Sequence, residues 1–109
     1  MAYSEALAQR IREALPGIPG ITEKKMFGGI AFLLDGNMAC GVSKDNLMVR
    51  ISPDATDSAL AQPHVRVFDM TGRPMKGWVL VEPSGIETDN DLKRWIEQGV
   101  EFAQSLPPK

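Results

Sequence analysis

The chain has few of the residues that build disulfide, zinc and thiol chemistry. Its 109 residues include one cysteine, Cys40, and one histidine, His64. One cysteine cannot close an internal disulfide, and the pair cannot supply the four ligands of a structural zinc site. A Cys–His nucleophile pair would need the fold to join them, and Cys40 lies in a predicted strand, where a thiol is usually inert. We predict no metal site and no cofactor.

Long apolar runs and an excess of positive charge are also missing. No stretch approaches the roughly 18 apolar residues of a membrane span, and residues 1–5 carry neither the basic nor the apolar part of a signal peptide. We therefore expect a cytoplasmic protein without a membrane partner. The net charge of −2 gives no overall cationic field for nucleic acid. Residues 65–78 nevertheless hold three basic side chains against one acid, which leaves a local basic patch open.

What the chain does contain is typical of a globular domain. Hydrophobic residues make up 43% and charged residues 24% of the sequence. A length of 109 residues matches the commonest domain size and leaves too little chain for a second core. We predict one domain over residues 1–109.

Periodicity predicts a helix, then strands. Residues 4–15 place Leu7 and Ile11 on one helical stripe, and Pro16-Gly17 ends it. Residues 21–51 change to a strand-like period, divided by turn signals at residues 28–29, 35–37 and 44–46. We interpret this segment as three strands, with residues 30–34 central and with Met48 and Arg50 on one side of the last strand.

The second half repeats this alternation. Ser52 caps a predicted short helix over residues 55–61, with Pro53 in its first turn. Strands are predicted at residues 65–68 and 78–81, joined by a polar connection over residues 69–77. A final helix, capped by Thr88, carries apolar residues at helical spacing: Leu92, Trp95, Ile96, Val100 and Ala103.

These elements predict an α+β fold of order α-β(3)-α-β(2)-α. An antiparallel five-stranded sheet with helices on one face is a two-layer α/β sandwich. Its other face must be solvated or occupied, and its edge strands carry unpaired backbone groups. Dimerisation or partner docking is therefore a physical expectation of the fold.

A set of ordered motifs resembles the N-terminal domain of the TfoX (Sxy) family. The motifs, in chain order, are Lys24-Lys25-Met26-Phe27-Gly28-Gly29, Ile30-Ala31-Phe32, Asp35-Gly36-Asn37-Met38, Leu47-Met48-Val49-Arg50 and Gly72-Arg73-Pro74-Met75. The resemblance covers nearly the whole chain. It implies the order α-β(3)-α-β(2)-α and a link to regulators of DNA uptake competence. The resemblance implies that full-length regulators carry a second, C-terminal domain, for which we expect no room in this chain, and it supplies no catalytic residue.

Two groups of residues are candidate functional features. The candidate partner-binding surface is basic, aromatic and methionine-containing: Lys24, Lys25, Arg50, Arg73, Met75, Lys76 and Trp78. An ordinary solvated surface is the alternative. The Met26-Phe27-Gly28-Gly29 motif is predicted to be structural, because its glycines permit positive φ or a close backbone approach and no helix follows to bind phosphate.

Acidic residues are assigned no chemistry. Glu87, Asp89 and Asp91 stand at a predicted helix start, where negative charge is stabilised. Glu97 and Glu101 are interpreted as part of a solvated helix face and not as a general acid/base pair, because the sequence gives no sign of an apolar enclosure around them.

Three functional hypotheses follow. The first is a non-enzymatic regulatory or protein-interaction domain that self-associates and uses a sheet edge and the 69–77 connection. The second is a nucleic-acid-associated transcriptional or competence module. The third is a small-ligand-binding or enzymatic domain, which requires a pocket with convergent polar groups.

Overall fold

The computed structural model describes residues 4–15, 17, 19–26, 29–68 and 77–107, and for Met26 the backbone alone. The elements, in chain order, are α1 (Glu5–Ala14), β1 (Ile21–Met26), β2 (Gly29–Leu34), β3 (Asn37–Ser43), β4 (Asn46–Arg50), α2 (Thr56–Leu60), β5 (Val65–Val67), β6 (Trp78–Val81) and α3 (Asp89–Gln104). Short 3₁₀ turns at Pro53–Ala55 and Pro83–Gly85 precede α2 and α3. None of the described helices is long and apolar enough to cross a membrane.

The six strands form one antiparallel sheet in the order β1-β2-β3-β4-β6-β5. The α+β class and antiparallel sheet are confirmed, but the five-strand count is wrong. The three predicted turns separate four strands in residues 21–51, so the order is α-β(4)-α-β(2)-α. The extra strand is β1, whose sequence ITEKKM has no apolar alternation. Its place at the sheet edge explains this, because an edge strand can carry charged residues.

Alternating hydrophobic residues in the strands give the sheet one apolar face, and the three helices pack against that face. Cross-strand partners on this covered face form a row that is apolar from β2 to β6: Phe32, Cys40, Val49 and Val79. All four pack in one cluster with buried residues of α1, α2 and α3, such as Ile11, Ala59 and Ile96. The cover ends at β5, where Val67 pairs with Val79 yet is 38% exposed.

Two glycines allow backbones to approach closely. A Cβ on Gly29 would overlap the carbonyl oxygen of Val42, and one on Gly99 would overlap that of Ala39. The prediction that Gly29 is structural therefore has a specific cause, which is the close approach of β3. At Gly99, helix α3 lies almost directly on β3.

The start of α2 differs from the prediction. Ser52 makes no side-chain cap. Instead, the Thr56 hydroxyl donates to the Ser52 carbonyl at 3.4 Å and accepts the Gly77 amide at 2.8 Å. The Ile51 amide also donates to the Gly77 carbonyl at 2.9 Å. These bonds fix the residue that precedes Trp78 beside the end of β4.

Candidate partner-binding surface

The second face of the sheet carries no helix from the described part of the chain. Its central row of cross-strand partners runs from one edge to the other: Lys24, Ala31, Gly41, Met48, Leu80 and Arg66. The middle is apolar and the two ends are cationic. We call this the uncovered face. Ala31 and Met48, in the middle of this row, are only 0% and 2% exposed. The accessible apolar surface of this face therefore comes from the half-buried Leu33, Met38 and Leu80.

Arg50 and Trp78 are direct partners in the β4–β6 ladder. The Arg50 Cζ atom lies 5.6 Å from the centroid of the Trp78 ring and 5.4 Å from that of Phe102, which comes from α3. Both distances are within the roughly 6 Å of a cation–π contact. The guanidinium therefore makes cation–π contacts with two aromatic rings.

Phe68 extends this arrangement. Its ring centroid lies 5.7 Å from that of Trp78, with the planes inclined by 54°. Phe68 is 8% exposed, whereas Trp78 is half-buried. Phe68, Trp78, Phe102 and Arg50 together form what we call the aromatic–arginine cluster. It lies at the end of the uncovered face where β4 finishes and β6 begins.

The Arg50 guanidinium has no hydrogen-bond acceptor or ion-pair partner among the described residues. Arginine carries five N–H donors in a planar fork that matches a carboxylate or phosphate. The two ring contacts leave these donors without an acceptor among the described residues. Such a group is prepared to bind an anion.

The predicted surface is assembled only in part. Arg50 and Trp78 come together, but β1 lies three strands from β4, which is about 14 Å at the usual strand spacing. Lys24 pairs with Ala31 on the uncovered face, and Lys25 pairs with Ile30 on the covered one. The two lysines therefore point to opposite faces. The remaining predicted members, Arg73, Met75 and Lys76, lie outside the described residues, as does most of the 69–77 connection.

Sequence reasoning missed Phe68 and Phe102 as members of the site. Phe102 lies in α3 between two residues of its buried stripe, Val100 and Ala103, but is itself only half-buried. A large aromatic residue placed off the buried stripe is the signal that could have identified it. Of the glycine motif, Met26 pairs with Gly29 at the end of the β1–β2 ladder. Phe27 and Gly28 lie outside the described residues.

Cys40 is a buried residue of the core. It is 0% exposed, and burial raises the pKa of its thiol to about 12. His64 is exposed and precedes β5, three strands away from β3. The structure therefore does not bring the two together as a nucleophile pair, and the predicted position of Cys40 in a strand is confirmed.

The acidic residues at the start of α3 have structural partners. The Thr88 hydroxyl accepts the Asp91 amide at 3.1 Å, which confirms the predicted cap. Asp89 lies 3.5 Å from Arg10, and Asp91 lies 3.6 Å from Arg94. In the described ranges, no three histidine, cysteine, aspartate or glutamate residues are grouped to hold a metal ion.

Fold and surface together define the class: a small two-layer α+β domain with an antiparallel sheet whose second face carries no helix from the described ranges. The model of the TfoX N-terminal domain family matches residues 13–103, and the chain belongs to that family. The resemblance seen in the motifs is thus confirmed. A comparison with curated proteins finds no match.

Proposed function

We propose that this chain is a non-enzymatic regulatory domain that binds a protein partner through the aromatic–arginine cluster. The partner presents a carboxylate to Arg50 and an apolar side chain to the neighbouring rings. The observation that carries the proposal is the Arg50 guanidinium, held 5.6 Å and 5.4 Å from two ring centroids with no acceptor among the described residues.

Physical chemistry supports this choice of anchor. Arginine and tryptophan are enriched among the residues that contribute most to protein–protein binding. Contact with Trp78 and Phe102 restricts the Arg50 side chain before the partner arrives, so less conformational entropy is lost on binding. The adjoining apolar part of the uncovered face, with Leu80 half-buried, adds surface that a partner can remove from water.

A buried thiol also supports a non-enzymatic role. Cys40 has the only thiol of the chain, and its pKa of about 12 keeps it protonated at neutral pH. A nucleophilic cysteine requires the thiolate and access to substrate. The regulatory part of the proposal rests on membership of the TfoX N-terminal domain family. The resemblance to that family implies a link to regulators of DNA uptake competence.

The test is comparative affinity capture from native lysate with mass-spectrometric identification. We expect one or more proteins to be recovered by the unmodified domain and lost with Arg50→Gln and with Trp78→Ala. Arg94→Gln is the matched control, because Arg94 is an exposed arginine of α3 outside the cluster. Recovery of the same proteins by all four baits, or of none, would contradict the proposal.

Self-association is part of the proposal, since a second copy is the simplest protein partner. The edges are less suited to it, because β1 exposes Glu23, Lys24 and Lys25 and β5 has only three residues. We therefore expect a dimer that uses the uncovered face. Sedimentation equilibrium should show a dimer that Arg50→Gln weakens and Arg94→Gln does not. A strictly monomeric unmodified chain would exclude the second copy as the partner.

A nucleic-acid-associated module is the second candidate, favoured by one observation. The uncovered face combines aromatic rings with Lys24 and Arg66 at its two ends, and aromatic rings beside cations bind single-stranded nucleic acid. The Glu82 carboxylate, 3.8 Å from Arg66, partly neutralises one end. Binding of a labelled single strand and a duplex, followed over increasing salt, is the test. Affinity that falls steeply with salt and depends on Lys24 supports this candidate, and absent binding removes it.

A further inference from the structure

Helices α1 and α3 enclose a groove of about 790 Å³ on the side of the molecule away from the uncovered face. Its lining runs along α3 from Asp89 to Gln104. At a rise of about 1.5 Å per residue, that length is about 22 Å. The groove is therefore long enough for a helical segment of about four turns.

The charge of the groove is mainly negative. Arg10 lines it, but its guanidinium already donates to the Ile86 carbonyl at 2.8 Å and lies 3.5 Å from Asp89. Three other carboxylates line the groove, Glu13, Glu97 and Glu101, and none has an ion pair among the described residues. Lys93 is the one remaining cation of the lining. Three unpaired carboxylates thus face one ammonium group.

Two of these carboxylates repel each other. Glu97 and Glu101 are one helical turn apart on α3, and like charges at that spacing destabilise a helix. Lys93, one turn before Glu97, offsets part of this repulsion, and a partner's cation bound between the two carboxylates would offset more of it. The sequence indicated only a solvated acidic face here, because it gave no sign of an adjoining apolar surface.

The structure supplies that apolar surface. Ala14 and Leu15, from the end of α1, line the groove and are half-buried. Leu92 and Val100 of α3 also line it but are only 1% and 5% exposed, so Ala14 and Leu15 supply most of its accessible apolar surface. An apolar strip beside a row of carboxylates complements a helix with one apolar and one basic face.

We infer that the α1–α3 groove binds a short amphipathic helix of a partner protein, with lysine or arginine residues flanking its apolar stripe. The apolar stripe contacts Leu15 and Ala14, and the cations pair with Glu97 and Glu101. This site is separate from the aromatic–arginine cluster and opposite to it in charge, so the two select different partners.

The test uses a defined peptide, because the natural segment is not identified. The probe is a fluorescein-labelled helix of about 14 residues, built only from leucine and lysine at helical spacing. One control peptide replaces each lysine by glutamate, and another has the same composition in an order that destroys the amphipathic stripe. Fluorescence anisotropy measures affinity, and amide chemical shifts locate the binding site.

The matched protein variants change the same number of charges at different places. Glu97→Lys with Glu101→Lys reverses two groove charges, and Asp45→Lys with Asp57→Lys reverses two exposed charges that do not line it. We expect the groove variant to lose at least ~10-fold in affinity and the control to change by less than about threefold. Glu97→Gln with Glu101→Gln provides a milder variant should the reversal affect folding.

Several outcomes would overturn the inference. Equal losses in both variants would mean that the peptide responds only to net charge. Equal binding of the control peptide without an amphipathic stripe would show that the apolar contact does not contribute. Chemical-shift changes confined to the uncovered face would place the peptide outside the groove. Dimerisation abolished by the groove variant would assign the groove to a second copy. Failure here would leave the Arg50 capture experiment unaffected, since the two tests share no residue.

Discussion

The two faces of the sheet are built from alternate residues of the same strands, yet they differ in what they contact. Val49 and Val79 are 0% exposed and pack against the helices. Their neighbours Arg50 and Trp78 point the other way and contact each other. The strand period of two thus divides one short sequence between a face packed against helices and a face that is partly exposed at Arg50, Trp78 and Leu80. Substitutions on the first should change stability, and those on the second should mainly change binding.

The largest expected effect concerns two glycines at which backbones approach closely, Gly99 and Gly29. We expect Gly99→Ala to lower the free energy of unfolding by about 2–3 kcal/mol, because the added Cβ would overlap the Ala39 carbonyl. This would occur despite a gain of about 1 kcal/mol in helix propensity. Gly29→Ala should behave similarly. Gly17→Ala is the control, because a Cβ there meets nothing within 4 Å. Equal melting temperatures for all three would refute the close approach.

Adjacent residues of β6 offer a direct contrast between the faces. Val79→Thr should destabilise the fold by about 1–3 kcal/mol, since it places a hydroxyl among buried apolar side chains. Leu80→Thr, one residue further and on the uncovered face, should cost less than about 1 kcal/mol. Chemical denaturation measures both. If Leu80→Thr were the more damaging of the two, the assignment of the faces would be reversed.

The buried thiol gives a pH test of the covered layer. The pKa of Cys40 is raised from 9.0 to about 12 by burial, so above pH 9 the unfolded chain loses a proton that the native chain keeps. Stability from this group should therefore be complete below pH 9 and fall above it, by about 1.4 kcal/mol per pH unit. Cys40→Ala should lack this slope. Rapid labelling of the native thiol at pH 8 would show that the covered layer is open.

The smallest effect is expected at the margin of the covered face, where β1 meets α1. The Arg12 side chain donates to Glu23 at 2.9 Å, and this hydrogen bond lowers the pKa of that carboxyl below 4.5. The contribution is therefore present above pH 4.5 and lost as pH falls through the native pKa. Both side chains are about one-third exposed, so we expect only a few tenths of a kcal/mol. Arg12→Gln should raise the Glu23 pKa in an NMR titration, and Arg94→Gln should not.

The local sequence pattern was sufficient to predict an element where its hydrophobic period matches the burial that the structure shows. Helix α3 and its buried stripe follow from the spacing of Leu92, Ile96 and Val100, and Thr88 caps it as predicted. The Asp35-Gly36 turn also follows, since both residues adopt positive φ between paired strands. The strand β1 was not recognised as separate, because the pairing of its backbone with β2 is not visible in a charged sequence. The predicted Ser52 cap was wrong, because the Ala55 amide donates to the Ser52 backbone carbonyl at 2.9 Å and not to its hydroxyl.

By itself, the sequence determined the class of fold, the family, the membership of the core and the alternation that separates Arg50 from Val49. These depend on residues near one another in the chain, where period and turn chemistry act. Only the tertiary structure decided that Phe102 of α3 reaches Arg50, that Lys24 lies about three strands away from it, and that Glu97 borders an apolar groove. Those relations join distant segments, and they arise from how the helices lie on the sheet rather than from any local preference.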